Sequence, residues 1–532
     1  MIVDFAESRN ADYNGDVIIV GAGAVGLTMA IYLARRGIDV TVVEAGPVAP
    51  NSDSQAFFQA ASASGYDLPG LHLGRFRALG GTTNFWGGQL VPFDQHIFDG
   101  RPKIGADPWP IDALELEKYY RYTLDLLGMK NVFSDDQVWA ELKTQIPLRT
   151  DDVIPYFTRW APIRNFATLF GNDLVDRENL RVFVNAPVTA LTSDDGQIIA
   201  GVEVAHADGR RVLLRGRRVI LASGTIEIVR LLLLPLSDGA LPVWHHNKWL
   251  GTGFMDHLDC YAGEIIPYDK KRFSDVFDNA FIHGIKYCPK LRLSVQAQQR
   301  EGLFDASAHF VFRSAFSDSI EDAKIFFGGL LRGRLNWKAL QNPVKSIAAV
   351  RYAFPMVLRY LRHRRIYNFS DIGIALRLTV EQSPDSSSVI TLRGDTDALG
   401  VPNVDVNWRF RRSDISTIAR FAEMLREYLA ASGLAEVKLD ERLVDRDQQF
   451  METIDDANHH MGGARMGHDA SLGVVDSGLK VFGTTNLYVA GAAVYPASGF
   501  ANPTFTAIAL GLRLAETIAS ERGASYVETA QQ

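Results

Sequence analysis

The chain has 532 residues, of which 47% are hydrophobic and 22% are charged, and its formal net charge is −7. This ordinary globular composition excludes a disordered, collagen-like or coiled-coil protein, and the negative charge argues against nucleic acid as the main partner. Two cysteines, Cys260 and Cys288, are too few for a disulfide scaffold or a multi-cysteine metal site. Residues 1–16 lack the basic start and apolar core of a signal peptide, and no run approaches the ~20 apolar residues that span a bilayer. We therefore expect a soluble, cytoplasmic protein.

The first structural signal is a nucleotide-binding pattern near the N-terminus. Residues 16–20, DVIIV, are typical of a strand buried on both faces, and residues 27–36 carry apolar side chains at helical spacing. Between them, Gly21, Gly23 and Gly26 form G-x-G-x-x-G. In this motif the first glycine permits a tight turn, the second lets a pyrophosphate approach, and the third lets helix and strand pack closely. The pattern predicts a Rossmann-like unit.

Two further segments extend this unit and indicate its cofactor. A second predicted strand, 40–43, ends in Glu44, whose carboxylate can accept hydrogen bonds from a ribose diol. Near the other end of the chain, a buried strand runs into Gly491, and a helix is predicted to begin after Asn502. A nucleotide-binding fold that returns to its first domain after so long an excursion favours a flavoprotein over a simple NAD dehydrogenase.

Four blocks of sequence resemble, in order, the glucose–methanol–choline (GMC) oxidoreductases. They are residues 21–44; 77–88, RALGGTTNFWGG; 219–227, VILASGTIE; and 459–467, HHMGGARMG, continuing to Asn502-Pro503. The chain is most similar to the bacterial members that oxidise sugars, such as the pyranose-oxidising and glycoside 3-oxidising enzymes. The resemblance implies an α/β fold, with a Rossmann-like FAD-binding domain assembled from discontinuous segments and a sheet-based α+β substrate-binding domain.

The domain boundaries follow from the positions of these blocks. The FAD-binding domain is predicted to comprise residues 14–98, 178–258 and 456–525, and the substrate-binding domain residues 99–177 and 259–455. In the second domain, strands predicted near 308–312, 373–381 and 388–392 suggest a sheet that covers the flavin.

A basic segment at about 324–370 stands apart, because it contains ten Lys and Arg residues and no Asp or Glu. Its apolar residues between 344 and 366 lie near helical spacing, which predicts a helical insertion. One interpretation is a solvated insertion that covers the substrate entrance. The alternatives are a surface that contacts an anionic membrane or a partner and, as a third interpretation, a segment that serves an acidic or phosphate-bearing substrate.

The resemblance also implies which residues bind FAD. Phe85 stands where some sugar-oxidising relatives carry the histidine that attaches FAD covalently, so non-covalent FAD is expected here. Trp86 either lines the flavin or fills the core. The implied cofactor-binding residues are Gly21, Gly23, Ala24, Gly26, Glu44, Ala45, Arg77, Gly80, Gly81, Thr83, Asn84, Trp86, Gly87, Gly88, Val188, Ala222, Gly224, Gly491, Ala492, Asn502, Pro503 and Thr504.

The catalytic pair implied by the resemblance is His459 and Asn502. Histidine suits a base that takes the hydroxyl proton while hydride leaves for flavin N5, and the Asn amide would orient the substrate oxygen. Asn502 also precedes a proline and an apolar helix, so an ordinary helix N-cap is an alternative. His460 is the second candidate for the base. No metal is expected, since no carboxylate or cysteine completes a convincing ligand set around these histidines.

The sequence thus predicts an FAD-dependent enzyme that oxidises a hydroxyl group to a carbonyl, preferably on a sugar or glycoside. One alternative is a flavin-dependent lyase without net redox. Another is the large subunit of a membrane-linked dehydrogenase that passes electrons to a cytochrome. The substrate, the electron acceptor and the oligomeric state have no sequence signal.

Overall fold

The computed structural model describes residues 1–7, 13–144, 147–206, 208–315 and 356–529. Most of the basic segment 324–370 therefore lies outside the described residues, and its described part contains a helix at 356–363. Among the described helices, none combines the length and apolar character needed to cross a membrane.

Twenty strands occur in the described residues and are numbered here in chain order. They are β1 (Ile2–Asp4), β2 (Tyr13–Val20), β3 (Val40–Val43), β4 (Ser62–Ala63), β5 (Gln89–Leu90), β6 (Val153–Trp160), β7 (Leu180–Val184), β8 (Val188–Ser193), β9 (Ile199–Ala205), β10 (Arg211–Leu221), β11 (Leu258–Pro267), β12 (Ala280–Ile282), β13 (Ile285–Leu293), β14 (Ala306–Arg313), β15 (Gly373–Val380), β16 (Val389–Thr396), β17 (Pro402–Asn407), β18 (Ala435–Leu439), β19 (Asp455–Asp456) and β20 (Leu487–Val489).

The helices vary from single turns to a long C-terminal helix. The longer ones are Ala24–Ala34, Glu117–Leu126, Asp135–Leu142, Thr225–Leu233, Lys270–Phe277, Val295–Glu301, Arg412–Ala431 and Pro503–Thr529. The shorter ones are Ser52–Ala56, Gly70–Leu73, Gln95–Phe98, Phe166–Leu169, Gly171–Asp176, Glu441–Val444 and Gln448–Met451.

An eight-stranded sheet forms the nucleotide-binding half, with strand order β1-β7-β3-β2-β10-β9-β8. Strand β20, from the far end of the chain, pairs with β10 in parallel, which confirms the predicted return of the chain to its first sheet. The helix Ala24–Ala34 is buried along almost its entire length and packs against the C-terminal helix Pro503–Thr529. Continuous apolar runs in β2 and β3 suit this position, because helices cover such a parallel sheet.

A second, nine-stranded sheet has the order β18-β11-β15-β14-β13-β6-β5 and is antiparallel, with β12 on β13 and β19 on β11. The helix Arg412–Ala431 packs against it. The cross-strand row Leu291, Ala308 and Leu378 is fully buried, whereas alternate positions are polar and partly exposed. Together the two sheets confirm the predicted α/β class with a sheet-based second domain.

The structure differs from the prediction at three strands. Strand β1 joins the nucleotide-binding sheet although it precedes residue 14, and β5 joins the nine-stranded sheet although it lies within 14–98. The strand predicted at 388–392 is β16, which pairs with β17 and forms a separate three-stranded sheet with β4. It does so because β17 follows it directly as the second half of a hairpin.

Candidate active site

The turn between β2 and the helix Ala24–Ala34 requires its glycines. Gly21 has φ +105°, and a Cβ there would lie 2.7 Å from the Ala222 carbonyl oxygen. A Cβ on Gly26 would overlap the carbonyl oxygen of Gly21, so a side chain there would push the helix away from β2. A Cβ on Gly23, by contrast, would meet nothing within 4 Å. Gly23 therefore presents an open backbone, next to the first amides of the helix, at which a phosphate can bind.

A cavity of about 310 Å³ opens at this turn and extends to the C-terminal elements. It is large enough to be a small-molecule site. The predicted cofactor residues that line it are Gly21, Gly23, Ala24, Glu44, Ala45, Arg77, Gly81, Thr83, Trp86, Val188, Ala222, Gly224, Gly491, Ala492, Pro503 and Thr504. His459 and His460 also line it. The structure thus brings together residues from both ends of the chain.

The remaining predicted residues, Gly26, Gly80, Asn84, Gly87, Gly88 and Asn502, are not among the lining. Asn84 donates hydrogen bonds to the carbonyls of Leu79 and Gly81, and so holds the loop 77–88 in shape. Gly87 is required because a Cβ there would lie 2.5 Å from the Trp160 ring. Asn84 and Gly87 therefore support the loop 77–88, part of which lines the cavity.

Glu44 and Arg77 give one end of the cavity its polar character. The two carboxylate oxygens of Glu44 accept hydrogen bonds from the amides of Ala22 and Gly46, each at 2.9 Å. Burial raises the pKa of Glu44 to about 7, against the lowering effect of these amides and of Arg77. Arg77 Nε is buried without a hydrogen-bond partner in the described part of the chain. An open glycine backbone, an acceptor for ribose hydroxyls and an unpaired guanidinium nitrogen together fit a dinucleotide such as FAD.

At the opposite end, the side chains of His459 and Asn502 are in direct contact. Asn502 Nδ2 donates to His459 Nε2 at 2.6 Å, and Asn502 Oδ1 accepts a hydrogen bond from Gln89 Nε2. Asn502 ends the loop that precedes the helix Pro503–Thr529, and no amide of the first turn in the described residues donates to its side chain. The asparagine side chain therefore orients the histidine and does not cap the helix.

A second histidine, His257, fixes the other ring nitrogen of His459. The two Nδ1 atoms are 2.8 Å apart, and the rings meet at 81°. Because His459 Nε2 accepts from Asn502, its ring proton lies on Nδ1 and is donated to His257. Burial lowers the pKa of His257 to about 4, and burial together with His257, His460 and Lys290 lowers the pKa of His459 well below its usual value. Both rings are therefore neutral at pH 7.

Asp256 holds the backbone around this pair. Its carboxylate is fully buried and accepts hydrogen bonds from the amides of His257, Ala457 and His459 at 2.6, 3.0 and 2.8 Å. Two distant segments of the chain are thus joined at one side chain. Burial, with Asp456 nearby, raises the pKa of Asp256 well above its usual range.

The surroundings of His460 correct one step of the sequence argument. Among the described residues, Asp256, Asp456 and His460 place one possible ligand atom each within 4.8 Å of one another, so carboxylates do lie beside the histidines. Asp256 comes from a different segment, so its position beside His460 has no sequence signal, whereas Asp456 stands only four positions before His460. Both oxygens of Asp256 and both of Asp456 already accept backbone amides, and such donors do not favour a cation at the same oxygens.

Three residues that contact His459 or Asn502 were not predicted from the sequence: Gln89, Asp256 and His257. Gln89 follows the block 77–88 directly, and Asp256-His257 lies outside the four blocks that resemble the family. Nothing in the sequence pairs either segment with the block at 459–467. Their contacts with Asn502 and His459 arise only when the two sheets meet.

Comparison with known proteins agrees with this arrangement. A family profile described as GMC oxidoreductase matches residues 384–511, and one described as FAD dependent oxidoreductase matches residues 16–124. The fructose dehydrogenase large subunit of Gluconobacter japonicus is 21% identical over 96% of this chain and 99% of that protein. The C-glycoside 3-oxidase of Microbacterium trichothecenolyticum is 33% identical over 24% of this chain and 23% of that protein. The crystal structure of formate oxidase has the same fold, with a TM-score of 0.57 and 17% identity over 97% of this chain and 100% of that chain.

The two profiles match the two parts of the chain that meet at the cavity, and the cavity has the polar groups that a dinucleotide requires. The chain is an FAD-dependent oxidoreductase, and its residues 384–511 are similar to the GMC oxidoreductases.

Proposed function

We propose that this enzyme oxidises a hydroxyl group of a sugar or glycoside to a carbonyl, with His459 as the base and Asn502 as the group that orients the substrate oxygen. The observation that carries the proposal is the contact of 2.6 Å between Asn502 Nδ2 and His459 Nε2, at the end of the FAD cavity. When bound, FAD supplies the acceptor for the hydride that leaves the hydroxyl-bearing carbon.

The protonation of His459 suits removal of a proton. Its lowered pKa leaves the ring neutral at pH 7, and its Nε2 lone pair faces the Asn502 amide. A substrate hydroxyl that enters between these two groups would donate to Nε2 and accept from Nδ2, so it would be bound in the geometry that proton transfer needs. His257 Nδ1 accepts a hydrogen bond from His459 Nδ1–H and so keeps the His459 proton on Nδ1 and Nε2 unprotonated.

The substrate class is supported by the relatives. A fructose dehydrogenase matches nearly the whole chain, and a C-glycoside 3-oxidase matches part of it at higher identity. Both act, by name, on sugars or glycosides. The surface contact predicted for the basic segment 324–370 stays a prediction, as does the cytoplasmic location.

The FAD is proposed to bind without a covalent bond. Phe85, which replaces the histidine of covalently attached relatives, has no nucleophilic atom and stacks on Phe76 with ring centroids 5.4 Å apart. The residues proposed to hold FAD are those that line the cavity, with Gly23 at the phosphates, Glu44 at the ribose and Pro503 beside the flavin.

The proposal is tested by anaerobic reduction of the purified holoenzyme. Sugars, glycosides, sterols and simple alcohols are added while the flavin band near ~450 nm is followed. Bleaching by a sugar or glycoside supports the proposal. Bleaching by any substrate excludes a lyase without net redox, and no bleaching by the sugars would contradict the substrate class.

The catalytic assignment has its own test. His459→Ala should keep FAD and lose at least ~10²-fold in the rate of flavin reduction, because it removes the base. His468→Ala is the matched control, since His468 lies nine positions along the same segment and is exposed. A near-normal rate in His459→Ala would turn attention to His460.

A second candidate concerns the electron acceptor. The relative from Gluconobacter japonicus is named as the large subunit of a dehydrogenase, which favours an enzyme that passes electrons to another subunit. Rapid reoxidation of the reduced enzyme by a quinone or cytochrome, with slow reoxidation in air, would support this candidate. Rapid reoxidation by oxygen with formation of peroxide would identify an oxidase.

A further inference from the structure

The nine-stranded sheet carries a row of polar side chains on one face. Strand β13 pairs with β6 so that Lys290 lies opposite Tyr156, and β14 pairs with β15 so that His309 lies opposite Arg377. The register of β13 and β14, Leu291 with Ala308, continues to place Lys290 opposite His309. Directly opposite residues of an antiparallel pair project to the same face. Tyr156, Lys290, His309 and Arg377 therefore form one continuous row, called here the basic row.

The basic row faces the catalytic pair. The Tyr156 ring lies 5.6 Å from that of Phe500, which is two residues before Asn502. The positive charge of Lys290 also contributes to the lowered pKa of His459, so the Lys290 ammonium is close enough to interact electrostatically with that ring. The apolar row on the other face of the sheet, Leu291 with its neighbours, is fully buried. The basic row thus lies near the segment that carries Asn502, and none of its residues belongs to the lining of the FAD cavity.

The cations of this face are not equally neutralised. Arg377 Nε is paired with Asp259 at 2.5 Å, and Arg292 is paired with Asp94. The side-chain ammonium of Lys290 has no hydrogen bond or ion pair with any residue that the structure describes, and burial lowers its pKa. Asp259 is close enough to interact with the charge of Lys290, but its carboxylate is paired with Arg377. Asp455 also interacts with the charge of Asp259.

His309 adds a neutral partner to this cation. The side chain is half-buried, and its Nδ1 atom is buried without a hydrogen-bond partner among the described residues. Burial, together with Lys290 and Arg377, lowers the pKa of His309 well below the usual value. A neutral imidazole beside an ammonium supplies a donor or an acceptor without further charge.

A partly buried ammonium without a counter-charge is costly, and an oxyanion restores both its pairing and its hydrogen bonds. We propose that Lys290, assisted by His309, binds an oxyanion of the substrate, so that the enzyme acts on anionic sugar derivatives in preference to neutral or amino sugars. The oxyanion is a carboxylate, as in a sugar acid, or a phosphate. This inference rests on the proposed function, because it places the anion beside the groups assigned to hydroxyl oxidation. An amino sugar would bring a second positive charge to Lys290 and would bind more weakly.

The test measures binding separately from turnover. His459→Ala holoenzyme, which should not turn over, is titrated by calorimetry with D-gluconate, glucose 6-phosphate, D-glucose and D-glucosamine. At least one of the two anions should bind ~10-fold or more tightly than glucose, and glucosamine should bind more weakly. Gluconate and glucose 6-phosphate distinguish the carboxylate from the phosphate.

Lys290→Met, introduced into this background, should weaken binding of the preferred anion by ~10-fold or more, and Lys290→Arg should retain it. Lys286→Met is the matched control. Lys286 projects from the same face of β13, and its ammonium lies 3.7 Å from the centre of the Trp160 ring. Its substitution should change anion binding less than ~2-fold. FAD content and melting temperature report on folding in each variant.

Equal binding of all four compounds, or unchanged anion binding in folded Lys290→Met, would overturn the inference. Failure of the proposed function would look different. If anions bind in a Lys290-dependent manner while no sugar reduces the flavin of the wild-type enzyme, the oxyanion site is supported and the oxidation is not.

Discussion

The contact between His257 and His459 predicts that substitution of His257 slows proton removal by His459 without unfolding the protein. His257→Ala removes the acceptor that faces His459 Nδ1 at 2.8 Å and leaves a buried N–H without a partner. An unpaired buried donor costs ~1–3 kcal/mol, and this corresponds to a ~5- to 150-fold slower reaction if the loss falls on the transition state. Anaerobic stopped-flow reduction of the flavin should slow by this factor while FAD stays bound.

The pH profile distinguishes a positioning role from a merely structural one. His459 acts as a base only when neutral, so the reduction rate falls as the pH drops through its pKa. In the wild-type enzyme this decline lies well below pH 6.5, and His257 contributes to the low pKa. His257→Ala should therefore move the decline to higher pH, and His257→Asn, which keeps an acceptor, should partly restore the rate. A normal rate with an unmoved profile in His257→Ala would refute the reasoning.

Three further predictions concern the cofactor. Because the pKa of Glu44 is about 7, the affinity of the apoprotein for FAD should rise as the pH increases through 7. The rise should be about tenfold for each unit by which bound FAD lowers the Glu44 pKa. Fluorescence titration measures the affinity, and Glu44→Gln should abolish its pH dependence. Gly26→Ala should lower the free energy of unfolding by ~1–3 kcal/mol and weaken FAD binding, because the new Cβ would overlap the Gly21 carbonyl oxygen. Gly171→Ala is the control and should have neither effect, because a Cβ there meets nothing within 4 Å. Thermal melting and FAD content compare the two variants. Acid precipitation should release all the FAD into the supernatant, and yellow colour retained in the pellet would contradict the assignment drawn from Phe85.

The nucleotide-binding half could be predicted because its determinants are local. The apolar run before Gly21, the glycine spacing and the helical periodicity after it all lie within a short stretch, and the structure has a strand, a tight turn and a helix there. The blocks at 459–467 and Asn502 were recognisable because their residue types and order match a family. Their side chains do meet in the structure.

What the sequence did not indicate depends on contacts between distant segments. Asp256 and Gln89 reach His459 and Asn502 from other segments of the chain, and the register of the second sheet brings Lys290 beside Tyr156 and His309. The strand at 388–392 has an ordinary strand pattern, which cannot tell which neighbour it will pair with. The sequence pattern therefore predicts where strands and helices form, whereas the strand that each one pairs with is determined by tertiary packing.

The pairing of β20 with β10 has a consequence for the synthesis of the protein. Residues 219–221 of β10 pair with Leu487–Val489, which lie more than half the chain length further along the sequence. During translation the nucleotide-binding sheet therefore stays incomplete until the C-terminal segment has left the ribosome. Such non-local pairing slows folding and leaves an apolar strand edge exposed to aggregation in the meantime. Because Ala490 and Thr504 also line the cavity, the flavin site is complete only after this C-terminal segment has been made.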